Sequence, residues 1–209
     1  MRAVDSAAQA AREARAGLAE RLMLWIAARD RSTHAVEALG LWTGEDTEEI
    51  TVTDLWTGGI ATRAFVGAGA LLAVDGLQHA AGLQVRPVRV SLSAIDETVA
   101  AAVRLYDARG AKLQIWKRTL SADTGLPLGN PEPLFKGFVN RAPIPRPVPG
   151  GEAVLELEAV SAVRLLTIPA GRKKSDAAQR LRDSSDRFRR YKSIARTIDV
   201  PWGVEGSVR

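Results

Sequence analysis

Six short runs of β-branched and apolar residues, spread from Glu49 to Val160, constrain the fold more than any other feature of the chain. Glycine or proline interrupts nearly every gap between them. In the run at 87–95, apolar and polar residues alternate, as they do in a half-buried strand. Six strands with frequent turn signals predict a β-sandwich or barrel. The runs are EITVTDLW, IATRAFV, PVRVSLSAI, KLQIWKRTL, PLFKGFVN and EAVLELEAV.

The N-terminal segment is predicted to form a helix over residues 6–30. Ser6, with Gln9 three residues later, forms a capping box. Apolar residues then recur at helical spacing, with most charged residues on the other faces. The first half is mostly alanine, so it offers little apolar surface to a partner. The residues at helical spacing are Leu18, Leu22, Trp25 and Ile26.

Two further helices are expected, one between strands and one near the C-terminus. Asp96 is a good N-cap for the segment DETVAAAVRLY, which ends before DARG. After Val160 the chain becomes helical and basic. Ser175 or Asp176 can cap a helix that runs through Leu181 to about residue 190.

The stretch RAPIPRPVPGG, residues 141–151, is rich in proline and ends in two glycines. Such a composition predicts an extended, semi-rigid segment. Because both of its flanks resemble strands, we interpret it as a loop within one domain, with an interdomain linker as the alternative. The predicted regions are an N-terminal helix and connector (1–40), a β-barrel or sandwich domain containing this loop (41–168), and a C-terminal basic arm (169–209). The fold class is therefore mainly β with flanking helices.

Positive charge is concentrated near the C-terminus. Residues 172–196 contain ten Lys or Arg and three Asp, a net charge of +7. The remaining residues contain 19 basic and 21 acidic side chains, a net charge of −2, although the whole chain has a net charge of +5. The positive charge therefore belongs to one segment and not to the whole surface.

Catalysis and metal binding have no visible support. The chain has no cysteine, and His34 and His79 each lie beside turn residues. The acidic run at 44–49 lacks the alternating pattern of a calcium loop, and Gly67 with Gly69 lacks the rest of a phosphate-binding loop. We expect no catalytic residue, no metal site and no cofactor. No apolar run approaches the roughly 18 residues needed to cross a bilayer, so we expect a soluble, unprocessed chain without stable membrane insertion.

The basic segment supports two interpretations. Its cations and aromatic rings could track phosphates and stack on bases, but three interleaved aspartates weaken phosphate binding. Alternatively, it is a protein–protein contact, since Trp and Arg dominate binding hot spots. Trp202 follows Pro201 and needs a surface that buries it, either the chain's own sheet or a neighbouring subunit. The interface residues that we expect are Arg187, Phe188, Arg190, Tyr191 and Trp202.

The order of these segments resembles that of tail-tip proteins of long-tailed bacteriophages and related gene-transfer particles, the distal-tail and baseplate-hub group. The resemblance extends from about Leu41 to Gly203. It depends on LWTGEDTEEI, on a small-residue turn followed by two strands and a short helix, and on a strand, a D-x-G-x-P loop and a strand ending in LFKGFV. It closes with SDAAQRLRDSSDRF and IDVPWG. The helix predicted at 6–30 has no counterpart in that group.

The resemblance implies a ring subunit that joins the tail tube to the tail tip. Expected partners are copies of the chain in a trimer or hexamer, the tail tube protein and other hub proteins. DNA would pass through the ring's channel without sequence-specific binding. The expected location is the virion tail tip, reached from the host cytoplasm. The segment 183–203 would then be an assembly arm.

Two other functional classes are weighed against this one. A nucleic-acid-binding accessory protein would use residues 172–196, and steep salt dependence of DNA binding would identify it. An enzyme acting on the cell wall would need catalytic residues that the sequence does not offer.

Overall fold

A computed structural model of the chain is mainly β, with 48% of residues in strands and 15% in helices, as the sequence predicts. Its main feature is a curled half-barrel sheet. The chain divides into two compact units, Met1–Thr167 (unit 1) and Ile168–Arg209 (unit 2). The structure describes residues 5–15, 17–67, 69–78, 84–93, 95–143, 154–168, 173–192 and 194–197.

Nine strands and four helices make up the described secondary structure, followed by a 3₁₀ turn at Ala195–Thr197. The helices are α1 (Ser6–Glu13), α2 (Glu97–Leu105), α3 (Arg164–Thr167) and α4 (Asp176–Arg180). The strands are β1 (Leu18–Asp30), β2 (Val36–Trp42), β3 (Glu48–Thr53), β4 (Ile60–Phe65), β5 (Leu71–Asp75), β6 (Pro87–Ser93), β7 (Tyr106–Ser121), β8 (Glu132–Arg141) and β9 (Val154–Ser161).

Seven strands form one sheet in the order β2-β1-β7-β8-β9-β6-β5, and β3 pairs with β4 in a separate hairpin. All neighbours in the large sheet are antiparallel. β6 lies beside β9 instead of β7, so the connection through α2 is a Greek-key crossover. The outer strands, β2 and β5, are the two edges of the sheet.

The main core covers one face of the large sheet. In β6, Val88, Val90 and Leu92 are buried whereas Arg89 is exposed, which confirms the alternation expected from the sequence. Leu24 of β1 also lies on this face. Other members are Ile26, Ala28, Leu41, Ala70, Leu71, Val99, Ala111, Leu113, Ile115, Val139, Leu155, Leu157 and Ala159.

Helix α2 begins where the sequence predicts. The Asp96 carboxylate accepts a hydrogen bond from the Val99 N–H at 3.0 Å, which satisfies one of the free donors at the helix start. Val99 is itself buried in the main core, so α2 is fixed both by its cap and by its apolar face.

A second core lies on the other face of β1 and β7, beneath the β3–β4 hairpin. Phe65 of the hairpin lies between Trp25 and Trp116, with ring centroids 5.7 Å and 6.3 Å away. Both faces of β1 are therefore covered. The buried members are Met23, Trp42, Ile50, Val52, Phe65 and Trp116.

An ion pair, the Arg63–Asp54 clasp, ties the hairpin to this second core. The Arg63 guanidinium pairs with the Asp54 carboxylate, and both side chains are mostly buried, at 11% and 15% exposure. The same guanidinium lies over the rings of Trp25 and Trp116, 4.6 Å and 5.5 Å from their centroids. Charge pairing and cation–π attraction thus act on one group.

Gln114 of β7 completes the support of Asp54. Its side chain is buried, donates to the Asp54 carboxylate at 3.2 Å and accepts from the Leu55 N–H at 2.7 Å. Burial alone would raise the pKa of Asp54. Hydrogen bonds from the Thr57 N–H, the Gln114 amide, the Trp56 N–H and the clasp arginine outweigh burial and hold this pKa well below its ordinary value.

The helix predicted for residues 6–30 is wrong beyond its first two turns. Helix α1 covers Ser6–Glu13, and Leu18–Asp30 is a strand in the middle of the sheet. Arg15 adopts a left-handed φ of 54° and Gly17 follows, which ends the helix. Apolar residues occur on both faces of β1 because each face has its own core, so the period of two is hidden.

Residue 6 is also not the cap. Asp5 caps α1, accepting from the Ala7 N–H at 3.0 Å, and it accepts from the Asn130 N–H at 3.1 Å. These hydrogen bonds, that from Asn130 first, lower the pKa of Asp5. They also attach α1 to the loop between β7 and β8.

The expected N-terminal helix and connector, residues 1–40, do not form a separate segment, because β1 and β2 belong to the large sheet. The six strands predicted from the sequence do not include β1, β2 or β5. The proline-rich stretch 141–151 connects β8 and β9, which pair with each other, and this favours a loop over an interdomain linker. Residues 144–153 lie outside the described residues. Among the residues that the structure describes, no helix has the length and apolar character to cross a membrane.

Candidate functional site

Unit 2 is held together by short polar contacts. The Ser175 hydroxyl accepts from the Ala178 N–H at 3.2 Å, so Ser175 is the N-cap of α4, one of the two predicted caps. Asp176 pairs with Arg180 one turn later, at 2.9 Å. Such a contact adds little in water, about 0.3–0.5 kcal/mol. Local contacts of this kind do not hold a segment rigidly by themselves.

The helix expected to continue to about residue 190 ends at Arg180, which corrects that prediction. Asp183 accepts hydrogen bonds from the side chain and N–H of Ser185, and Asp186 accepts from the Phe188 N–H. These contacts lower the pKa of both carboxyl groups. Side chains that bond to the backbone nearby compete with the helix, so the chain turns instead.

Unit 2 exposes its large apolar side chains. Among the residues of unit 2 whose burial is described, 168, 173–192, 194, 195 and 197, none is buried. Leu181 is 90% exposed, Phe188 86% and Tyr191 63%. Isolated exposed apolar residues are common, but several of them in so short a segment indicate a surface that another molecule covers.

The predicted interface residues are only partly brought together. Arg187, Phe188, Arg190 and Tyr191 all lie in consecutive turns after α4 and are exposed. The Arg190 guanidinium lies over the Tyr191 ring, 5.4 Å from its centroid. Trp202 lies outside the described residues.

Phe188 lines a basic groove whose four cations are not among the predicted interface residues. The groove has a volume of about 280 Å³ and is lined by Lys173, Lys174, Arg182 and Arg189, beside Phe188. The charge surplus of residues 172–196 was visible in the sequence, but the choice of these four cations depends on the turns that follow α4.

Unit 1 contributes two sheet edges. β2 is the edge beside β1, and its C-terminal half is covered, since the Val66 N–H donates to the Gly40 carbonyl. The other half begins at Val36, which is 64% exposed. At the opposite edge, Leu72 of β5 is 47% exposed. Unpaired edge strands with apolar side chains favour pairing with another chain.

The described residues offer several surfaces suited to binding. In the described residues, no group of three or more His, Asp or Glu side chains could hold a metal ion. What the geometry provides is exposed aromatic rings, exposed cations and open strand edges, which are features of association. No protein-family model matches the chain, and no curated protein matches it.

Proposed function

We propose that this protein is a structural component of a phage-type tail tip, a subunit of a symmetric ring around the channel through which DNA passes. The observation that carries the proposal is the exposure of unit 2, where none of the residues whose burial is described is buried, although apolar and basic side chains are abundant. Such a segment gains its stability from a partner surface.

The residue types in unit 2 support this interpretation. Phe188 and Tyr191 provide large amphipathic contact areas, while Arg187 and Arg190 can form bidentate pairs with carboxylates. Aromatic residues and arginine are enriched in the centres of protein interfaces. In the ring, these four residues would anchor each subunit to a neighbouring subunit, and the proposal assigns the chain no reaction.

The curled sheet of unit 1 also suits a ring. Among the described residues, β5 and the first half of β2 are open edges, and the two strands are on opposite sides of the sheet. A subunit with two different exposed sides forms a closed ring when it contacts its neighbours head to tail. The order of segments, which resembles that of distal-tail and hub proteins, points to the same assembly.

The oligomeric mass of the purified chain tests the proposal. Light scattering should show that the full chain forms a trimer or hexamer. A chain truncated after residue 171 should no longer form this oligomer. Phe188→Ala with Tyr191→Ala should weaken the oligomer in the same way. Ile60→Ala is the matched control, because Ile60 is 81% exposed but lies in unit 1.

Two results would contradict the proposal. One is a full chain that stays monomeric at every concentration and salt tested, including in the presence of tail tubes. The other is a Phe188→Ala, Tyr191→Ala variant that forms the same ring as the wild type with the same stability.

Nucleic-acid binding is the second candidate, and the groove of unit 2 favours it. Four cations beside one aromatic ring match the features of single-strand binding, in which cations follow the phosphates and rings stack on bases. If the groove contacts about four phosphates, the logarithm of the affinity should fall with the logarithm of salt with a slope of about −3. Lys174→Ala with Arg182→Ala should lower this slope to about half, and salt-independent binding would eliminate the candidate.

A further inference from the structure

A groove opens at one end of the large sheet, where β1 and β8 end and β7 and β9 begin. Its volume is about 740 Å³, within the range of pockets that take up ligands. Leu155 and Leu157 are buried side chains that form an apolar wall. Arg31, Arg109 and Arg141 line it with positive charge. We call it the arginine groove.

Two of these arginines have no partner in the described residues of the protein. The side chains of Arg109 and Arg141 make no hydrogen bond and no ion pair with the described residues, and both are exposed. Asp107 also lines the groove, but this one carboxylate offsets only one of the positive charges. The groove therefore keeps a net positive charge above an apolar wall, which suits an acidic loop of a protein.

An acidic segment of this kind covers the turn before β3 and the first two residues of that strand, Glu48 and Glu49. Its side chains Glu45, Asp46 and Glu49 are exposed and have no hydrogen bond or ion pair with the described residues. Only Glu48 nearby is paired, with Arg118. We call the segment 44–49 the acidic loop.

The backbone of the acidic loop is held rigidly. Trp42 is buried and donates from its indole N–H to the Asp46 carbonyl at 2.7 Å. Gly44 packs so tightly on the Trp42 ring that a Cβ would collide with it, and a Cβ on Gly67 would lie 2.6 Å from the Asp46 carbonyl oxygen. A loop fixed in this way loses little freedom on binding.

The arginine groove and the acidic loop lie at different positions along strand β1. β1 pairs Arg29 with Asp107 near the groove and Leu22 with Lys117 near the loop. The Leu22 N–H donates to the Thr43 hydroxyl at 2.9 Å, directly before the loop. The strand residues between these levels separate them by about 23 Å. One copy cannot therefore fill its own groove with its own loop.

We propose that the acidic loop of one copy docks in the arginine groove of the next copy. The proposal rests on the proposed ring and names a contact between its subunits. Because the two surfaces differ, the contact is head to tail, and it leaves one free loop and one free groove until a ring closes. Carboxylates of Glu45 and Glu49 pair with Arg109 and Arg141, and charge complementarity sets the register.

Charge-reversed variants of the full chain test the contact by sedimentation at low salt. A groove variant, Arg109→Glu with Arg141→Glu, and a loop variant, Glu45→Lys with Glu49→Lys, should each self-associate about 100-fold more weakly than the wild type. An equal mixture of the two, each also carrying Phe188→Ala and Tyr191→Ala to remove the anchor proposed for unit 2, should form a dimer and nothing larger, since only the intact groove of one and the intact loop of the other can then meet. A chain with all four changes should recover self-association.

Arg15→Glu with Arg89→Glu is the matched control, because it makes the same change in net charge at exposed arginines outside the groove. It should self-associate within about threefold of the wild type. A mixture of groove and loop variants that stays monomeric overturns the proposal. Self-association of either variant at wild-type strength also overturns it.

The outcomes for the contact and for the proposed function are distinct. If rings of three or six copies form equally in all variants, the loop–groove contact is refuted and the ring function stands. If the mixed dimer forms but the wild type gives only open-ended chains, the contact stands and the closed ring is refuted.

Discussion

Replacing Arg63 with alanine should strongly destabilise unit 1, although Arg63 is not fully buried. Arg63 neutralises Asp54 and covers the faces of Trp25 and Trp116. Because it belongs to β4, its loss loosens the hairpin from the second core. The substitution leaves the residues of the main core unchanged.

The size of the effect follows from these contacts. A hydrogen bond between charged groups contributes about 1.5–3 kcal/mol, and each cation–π contact about 1 kcal/mol when partly desolvated. Two terms reduce the loss. Asp54 keeps the Gln114 amide and two backbone N–H donors, and one buried nitrogen of Arg63, Nη1, has no partner among the described residues, so its removal relieves a cost. The expected loss is about 3 kcal/mol.

Urea unfolding followed by tryptophan fluorescence measures this loss, because Trp42 and Trp116 are buried in the second core. A loss of about 3 kcal/mol lowers the midpoint by at least about 1 M urea. Arg89→Ala is the control, since Arg89 is exposed on β6 and should change stability by less than about 0.5 kcal/mol.

A midpoint for Arg63→Ala equal to that of Arg89→Ala would refute the reasoning. A double-mutant cycle with Asp54→Ala separates the contributions of pairing and stacking. A coupling energy near zero would show that the ring contacts alone stabilise the hairpin, and that the ion pair adds nothing.

Two further predictions concern acid and the N-terminal helix. Since the pKa of Asp54 is lower in the folded protein than its ordinary value of 3.8, its stabilisation is complete above about pH 5 and is lost as the pH falls below 4; Asp54→Asn should flatten this acid limb in urea midpoints measured from pH 7 to 3. Gly129 and Gly125 both have positive φ, but only a Cβ on Gly129 collides with Asp5. Gly129→Ala should therefore expose α1 to trypsin, whereas Gly125→Ala should show only the strain of the turn, about 1 kcal/mol; equal trypsin sensitivity of the two variants would contradict the role of Asp5.

The strands that the sequence revealed are those with one covered face or clear turn signals. β6 shows a period of two because only one of its faces is buried. β1 does not, because Met23 and Leu24 are buried on opposite faces by two different cores. A run that is apolar on both faces cannot be assigned to strand or helix from periodicity alone.

The candidate surfaces were predictable only as composition. The sequence showed that residues 172–196 are basic and that 44–49 is acidic, and it named Phe188 and Tyr191. It could not show the arginine groove, because Arg31, Arg109 and Arg141 come from three regions of the chain that meet only through strand pairing.

The sequence by itself determined the mainly β class, the cap of α2 at Asp96 and the concentration of positive charge near the C-terminus. These depend on local spacing, turn residues and caps, which act within a few residues. Tertiary structure alone decided that residues 18–30 form a central strand and that Arg63 lies between two tryptophans. It also decided that three distant arginines line one groove. Such features arise from pairing between strands that are far apart in the chain. The free energy of that pairing depends on neighbouring strands and cannot be inferred from a short segment alone.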